Sequence, residues 1–392
     1  MIAVSDRLKS LPPYVFSEFQ YKKAELEQKG VDVIDLGIGA PDLSAPHFIY
    51  ERLAVEAKKP ANHRYSPYSG CAEFKEAVAE YYKKQYAVDL DPETEVLALI
   101  GSKEGIANLM QAFINPGDAV LVPDPGYPVY RKAVLLAGGE SIVLPLDQEK
   151  GYVPQFGKIS KKNRQRAKLM LLNYPSNPTG ATVELSTFRE AAAFSKNNNI
   201  LLVNDAAYDL ITFDDYKAPS VLQVSNAKDI AVEFGSLSKS FNMTGWRIGY
   251  IVGNKHVIKA LATLKSNIDS SQFLPIQFAA ASALRSDLAA TRENSLIFKE
   301  RMEMLCTALN EIGVSVQKTR GTIFLWAKVP TGFSSSSFAT KLLEEAGVIV
   351  TPGTIFGLSG EGYIRIALTV SKERLDEVIH RLKKLQIKGE KC

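Results

Sequence analysis

Short apolar runs punctuate the middle of the chain, spaced as strands separated by helices would be. Val96–Ile100, Ala119–Pro123, Leu169–Asn173, Ile200–Asn204, Ile230–Phe234 and Ile248–Val252 are each about five residues long and rich in branched side chains. They lack polar alternation, so both faces of each strand are expected to be covered, and the helix-length segments between them predict a mainly parallel sheet. Upstream, residues 14–29 read as an amphipathic helix with Phe16, Phe19 and Leu26 among Glu and Lys. Val31–Leu36 then reads as a short strand entering the turn Gly37–Asp42. Residues 290–312 form a long charged helical stretch. Beyond it, Gly313–Val316, Ile323–Val329, Val348–Thr351 and Tyr363–Ala367 alternate with helices at 335–346 and 371–386, a pattern that predicts a smaller α+β unit completed by the first 45 residues. No internal repeat or low-complexity segment is visible.

A chain of 392 residues exceeds the size at which a single core stops growing. Two domains are therefore expected, a large one over 46–289 and a small one made of 1–45 with 290–392. The 46% hydrophobic and 23% charged content is that of an ordinary globular protein. Forty-seven basic and 43 acidic side chains leave a net charge of +4, which gives no reason to expect nucleic acid or an acidic membrane as partner. Cys71, Cys306 and Cys392 are odd in number and include no CxxC pair, which argues against a disulfide framework and for a reducing cytoplasm. The four histidines lie far apart without HxxxH spacing, so no metal site is expected. Asp6 and Arg7 bring charge too early for a secretory signal, and no apolar run approaches the roughly 18–20 residues of a membrane span.

Six local patterns carry possible chemistry. Ser236-Leu237-Ser238-Lys239, followed by Arg247 within Gly245–Gly249, places an amine at a strand end beside two hydroxyls and a guanidinium. That set suits an aldehyde-bearing phosphorylated cofactor, with Lys239 forming an imine and Ser236, Ser238 and Arg247 near the phosphate. The alternative is a surface lysine and an arginine in a solvated turn. Asp205 leaves the apolar run 200–203, where open α/β sheets bind ligands. There its carboxylate could keep a pyridine nitrogen protonated, with Tyr208 donating to a ring oxygen, or it could simply cap a helix. Asn177 sits in the rigid turn Asn173–Gly180, which also reads as a turn without a ligand. Gly101-Ser102-Lys103-Glu104 opens a helix whose free amides could hold phosphate, but it is not a Walker motif. Gly37-x-Gly39 lacks the third glycine of a dinucleotide site. Tyr127, in Asp124–Pro128, could stack on a planar ring. Arg365, in the alternating strand Tyr363–Ala367, needs an acidic partner, which a substrate carboxylate or a protein carboxylate could equally supply.

The order and spacing of these elements, with Tyr65–Gly70 ahead of them, resemble the class I/II aminotransferases of pyridoxal phosphate (PLP) fold type I, from about Leu36 to Arg365. The resemblance implies an α/β fold with a mainly parallel seven-stranded sheet in the large domain and an α+β small domain. It implies Lys239 as the Schiff-base lysine and proton shuttle, Asp205 on the pyridine nitrogen, Asn177 and Tyr208 on the ring oxygen, and Tyr127 stacked on the ring. Phosphate would meet Ser236, Arg247 and the amides of Ser102, Lys103 and Glu104. Tyr65 would reach the phosphate of a partner subunit, implying a homodimer. Arg365 would bind the substrate carboxylate, with Gly39 and Asn177 nearby.

Asp205-Ala206-Ala207-Tyr208 departs from the frequent Asp-Glu-x-Tyr form and looks like a subgroup that includes LL-diaminopimelate and aromatic or methionine-related aminotransferases. No second arginine matches the one that aspartate-specific members use for a side-chain carboxylate. Phe16, Tyr21 and Ile38 are candidates to line an apolar side-chain pocket. The expected activity is ping-pong transamination between an amino acid and a 2-oxo acid, with 2-oxoglutarate as acceptor. A β-lyase or decarboxylase on the same scaffold is the alternative. A non-catalytic PLP-binding regulator is more remote, since no helix-turn-helix precedes the motifs.

Overall fold

The computed structural model describes residues 2–11 and 16–385, the side chains of residues 16–20 excepted. Cys392 and the side chains of Phe16 and Phe19 lie outside the described residues. In chain order the strands are β1 (Ile34–Asp35), β2 (Val96–Leu99), β3 (Ala119–Asp124), β4 (Glu140–Asp147), β5 (Val153–Pro154), β6 (Ala167–Leu172), β7 (Leu201–Asp205), β8 (Ala231–Ser236), β9 (Gly249–Gly253), β10 (Ser315–Val316), β11 (Phe324–Lys328), β12 (Val348–Ile349), β13 (Thr351–Pro352) and β14 (Tyr363–Ala367).

The central sheet runs β2-β9-β8-β7-β6-β3-β4-β5. Neighbours from β8 through β4 pair in parallel, whereas β9 is antiparallel to both β8 and β2. All six apolar runs read from the sequence are strands of this sheet, displaced by no more than two residues at either end. Strands β2, β3, β8 and β9 are buried at every position, which is why their sequences do not alternate. The seventh long strand, β4, gave no clear sequence signal. It lies near the sheet edge, Val143 is half exposed, and Pro145 interrupts its apolar stretch. The two-residue β5 adds a short antiparallel eighth strand at that edge.

Helices cover both faces. Helices Ala72–Tyr86 and Leu274–Arg285 join one apolar cluster with Ala98, Leu121, Met170 and Leu202. Helices Ser102–Phe113 and Lys255–Lys265 join the other, with Leu97, Val122, Leu169 and Phe234. Successive strand residues thus feed opposite cores, as the period of two requires.

The C-terminal strands form a four-stranded antiparallel sheet ordered β10-β11-β14-β13. A third apolar cluster unites this sheet with the helices Ala289–Glu311, Ser335–Ala346 and Lys372–Lys383. Near the N-terminus, β1 pairs in parallel with β12, and the Ala367 amide donates to the Leu36 carbonyl at 2.7 Å. The turn 37–42 is thereby held against the C-terminal sheet. Among the described residues no helix is long and apolar enough to cross a membrane.

Candidate active site

A cavity of about 460 Å³ opens where the carboxyl ends of the central strands meet the turn 37–40 and the C-terminal sheet. Parallel strands present their carboxyl ends along one rim, so residues distant in sequence converge there. Asp205 ends β7, Ser236 ends β8, and Asn173 and Asn177 follow β6. Ser102, Lys103, Tyr127, Tyr208, Ser238, Lys239 and Arg247 line the same cavity, together with Gly39 and Arg365.

One end gathers helix-start amides and a guanidinium, groups that suit an anion. Gly101 takes a left-handed φ of +79°, and the helix Ser102–Phe113 begins directly after it. The amides of Ser102, Lys103 and Glu104 occupy the first turn, where N–H groups have no partner within the helix and the dipole favours negative charge. Arg247 crosses this turn so closely that a Cβ on Gly101 would stand 2.3 Å from its Nη2. Arg247 itself has a φ of +57°, and its backbone is pinned by the Gln272 amide donating to its carbonyl at 3.0 Å. The Ser236 hydroxyl accepts from the Ser238 amide at 3.2 Å, closing the turn that ends in Lys239.

The Glu104 side chain does not enter the cavity. Its carboxylate accepts from the Ile100 amide at 3.0 Å and also bonds Asn108, and the buried Lys265 ammonium is 3.7 Å away. It therefore braces the helix start, leaving its amide as its contribution to the cradle. Tyr65 is not among the cavity residues of its own chain; it is 91% exposed. Tyr21 is also exposed and is not among the cavity residues, whereas Ile38 lines the cavity and is about half exposed.

The middle of the cavity pairs a depressed amine with a buried carboxylate. Lys239 Nζ donates to the Gly39 carbonyl at 2.6 Å. Burial first, and then the positive charges of Arg365 and Arg247, bring its amine down to about 8. Burial pushes the Asp205 carboxyl up to about 6, opposed by the Tyr130 hydroxyl, which donates to Oδ2 at 2.8 Å, and by the nearby Ala207 amide. Asp205 Oδ1 is buried and makes no hydrogen bond among the described residues. A buried carboxylate oxygen without a donor is costly, and the protonated nitrogen of a pyridine ring is a donor of the required kind. Asn173 braces the same floor, donating to the Asp205 carbonyl at 2.7 Å and accepting from the Asn177 amide at 2.7 Å. Burial holds the Tyr208 phenol well above its usual range, so it stays a hydrogen-bond donor.

The far wall carries Arg365. Its guanidinium donates to Asn177 Oδ1 at 2.8 Å and to the Gly37 carbonyl at 2.6 Å. Phe324 and Phe356 lie over it, with ring centroids at 4.2 and 4.7 Å. Gly39 passes so near Phe324 that a Cβ there would stand 2.4 Å from the ring. The same guanidinium also lies 3.4 Å from the Thr351 hydroxyl, to which its Nη2 donates.

Tyr130, Phe324, Asn173 and Thr244 also line the cavity and were not singled out as ligand residues by sequence. Tyr130 lies three residues after Tyr127, a helical neighbour spacing that could have flagged it. Phe324 shares a strand face with Trp326, and its period-two relation to the C-terminal sheet gave no hint of what that face meets.

The helix-start amides beside Arg247, the lysine and the unmet Asp205 oxygen together fit PLP. Comparisons with known proteins agree. The family model for aminotransferases of class I and II matches residues 31–382. The LL-diaminopimelate aminotransferase of Moorella thermoacetica is 48% identical over 379 residues, covering 97% of each chain. That of Aquifex aeolicus is 46% identical over 387 residues, covering 99% of this chain and all of the relative. Among solved structures, substrate-bound BacF from Bacillus subtilis superposes with a TM-score of 0.94 at 38% identity over 98% of both chains.

Proposed function

The chain belongs to the class I and II aminotransferases, which are PLP-dependent, and from that premise we propose that it moves the amino group of LL-diaminopimelate to 2-oxoglutarate. Transamination between amino and 2-oxo acids is the family's activity. The donor is inferred from the names of relatives aligned over nearly the whole chain. The single observation that carries the chemistry is the convergence of Lys239, Asp205 and Arg365 on one cavity.

When bound, the cofactor supplies an electron-withdrawing ring that makes the substrate Cα–H acidic and carries the amino group between half-reactions. Lys239 would tether it and then move the proton at Cα. An amine brought down to about 8 is neutral often enough near neutral pH to act as that base. Asp205 would hold the proton on the ring nitrogen, and that added cation would draw the carboxyl back into its charged form. Tyr208 and Asn177 would hold the ring oxygen, and Tyr127 would cover the ring face. Arg365 would orient the substrate through its carboxylate.

Two organisational expectations belong to the same reading. A large unit over 46–289 and a small one of 1–45 with 290–392 are supported by the confinement of the two main sheets to 96–253 and 315–367. A homodimer, with Tyr65 reaching a partner's phosphate site, is supported by that tyrosine's exposure; Tyr68, Ile268 and Phe273 are exposed as well. Sedimentation of the holoenzyme at twice the chain mass is the expected result.

An apolar donor is the second reading, favoured by the Ile38, Tyr127 and Phe324 lining and by Arg247 and Arg365 being the arginines among the cavity residues. A panel of LL-diaminopimelate, aspartate, phenylalanine and methionine with 2-oxoglutarate decides, read as glutamate formed. LL-diaminopimelate should give the highest kcat/KM. A tenfold advantage for phenylalanine would replace the proposed donor, and a cysteine thioether such as cystathionine, split to pyruvate, ammonia and the free thiol with no glutamate formed, would indicate a β-lyase.

A further inference from the structure

Residues 353–360 form a strap between β13 and β14. Its base is pinched where Gly353 and Gly360 pack face to face: a Cβ on either would stand 1.9–2.0 Å from the other's carbonyl oxygen. The strap carries Phe356, whose ring covers one face of the Arg365 guanidinium at 4.7 Å and meets Trp326 edge-on at 5.8 Å. Its tip rests on the turn that follows β3. The Gly126 amide donates to the Phe356 carbonyl at 2.8 Å, and the Ser359 amide donates to Asp124 Oδ1 at 3.1 Å.

Asp124 is the centre of this contact. It is buried, ends β3, and accepts from Arg131 Nη2 at 2.6 Å through Oδ2. Gly357, at φ +130°, lies against it so closely that a Cβ would stand 2.2 Å from Oδ1. Glycine is required there both by the backbone angle and by the space the carboxylate fills. A buried carboxylate is retained only where it is paired, and this one is paired from two directions, one of which is the strap.

We infer that Asp124 is a positioning residue for substrate binding: by fixing the strap it holds Phe356 on Arg365 and so fixes the plane in which Arg365 meets a carboxylate. The inference rests on the reading of Arg365 as the carboxylate site. Bidentate recognition depends on the plane of the guanidinium, and two aromatic rings with centroids 4.2 and 4.7 Å from its carbon restrict its rotation. The same turn carries Tyr127 three residues later, so a merely structural role for Asp124 would loosen the ring-covering residue and weaken cofactor binding instead.

The test uses the holoenzyme and four variants. Asp124→Ala should raise KM for both the amino donor and the 2-oxo acid about tenfold, with kcat and cofactor affinity within about threefold of the parent. Asp124→Asn, which keeps an oxygen for the Ser359 amide, should recover most of that loss. Phe356→Leu, which keeps apolar bulk without the ring, should raise KM to a similar extent and keeps the test open should Asp124→Ala fail to fold. Succinate, titrated against the cofactor absorbance as an unreactive carboxylate, should bind correspondingly more weakly. Unchanged KM and succinate affinity in Asp124→Ala or Phe356→Leu overturns the inference, as does a loss of cofactor affinity matching the rise in KM. Arg365→Lys is the control: if it leaves KM unmoved, the carboxylate reading itself falls, whereas a raised KM there with unmoved strap variants removes only the role of Asp124.

Discussion

The two walls of the cavity are made in different ways. The cofactor wall comes from strand ends and the turns after them, all within residues 101–247, and each of its side chains is placed by the strand or helix it adjoins. The proposed carboxylate wall comes from Gly37, Phe324, Phe356 and Arg365, brought together by pairing between the two ends of the chain. The first wall is rigid because the central sheet is buried on both faces. The second depends on a turn and a strap held by a few specific contacts. On the proposed roles, chemistry would be set on the better-supported side, and substrate binding would sit where a change in one contact can adjust it.

Substitutions should separate the walls. Lys239→Ala has the largest expected effect: loss of the cofactor's imine absorbance and a fall in turnover of at least about ten-thousandfold, read by absorbance and by single-turnover kinetics. Retained turnover would remove Lys239 from its proposed role. Asp205→Asn should lower kcat by about a thousandfold while cofactor remains bound, because a neutral amide cannot stabilise the ring cation. Arg365→Leu should act on the other wall, raising KM for both substrates about a hundredfold by deleting charge-assisted hydrogen bonds, with the absorbance spectrum intact. Cofactor capture by the apoprotein should accelerate about tenfold between pH 7 and pH 9. The Lys239 amine, brought down to about 8, passes from mostly protonated to mostly neutral across that range, and only the neutral form attacks the aldehyde. A stopped-flow pH series checks this, and a flat profile would contradict it. Tyr130→Phe should have the smallest effect, a severalfold fall in kcat with its acidic pH limit moved upward, since Asp205 would lose the donor that opposes its burial.

The same division explains what was legible in the sequence. Lys239, Asp205, Asn177 and Arg247 announce themselves because strand ends, turn residues and polar groups adjoin within a few positions. The six buried strands were visible for a related reason, as unbroken branched runs. The edge strand β4 was not, since its composition follows half-exposed surroundings and includes Pro145. Arg365 could be read as an arginine in want of an anion, but Phe324 and Phe356 could not be read as its neighbours. Their strands and strap look like ordinary core until the β11–β14 register sets Phe324 opposite Ala367 and Trp326 opposite Arg365. Glu104 shows the converse: its position in the helix start was correctly found, but which way its side chain turns is decided by Asn108, one helical turn on, and by Lys265, far along the chain.

The bond from Arg365 to the Gly37 carbonyl spans 328 positions of chain, and that from Thr351 to the same carbonyl spans 314. During synthesis, every strand of the central sheet has emerged by residue 253, more than a hundred residues before Arg365 exists. The strands that carry Asp205 and Ser236 are therefore both made while the N-terminal segment still waits for a partner. Contacts of such long sequence separation form late and slowly. The Arg365 side of the cavity is in this sense the last to be completed, when the tail of the chain folds back onto its beginning.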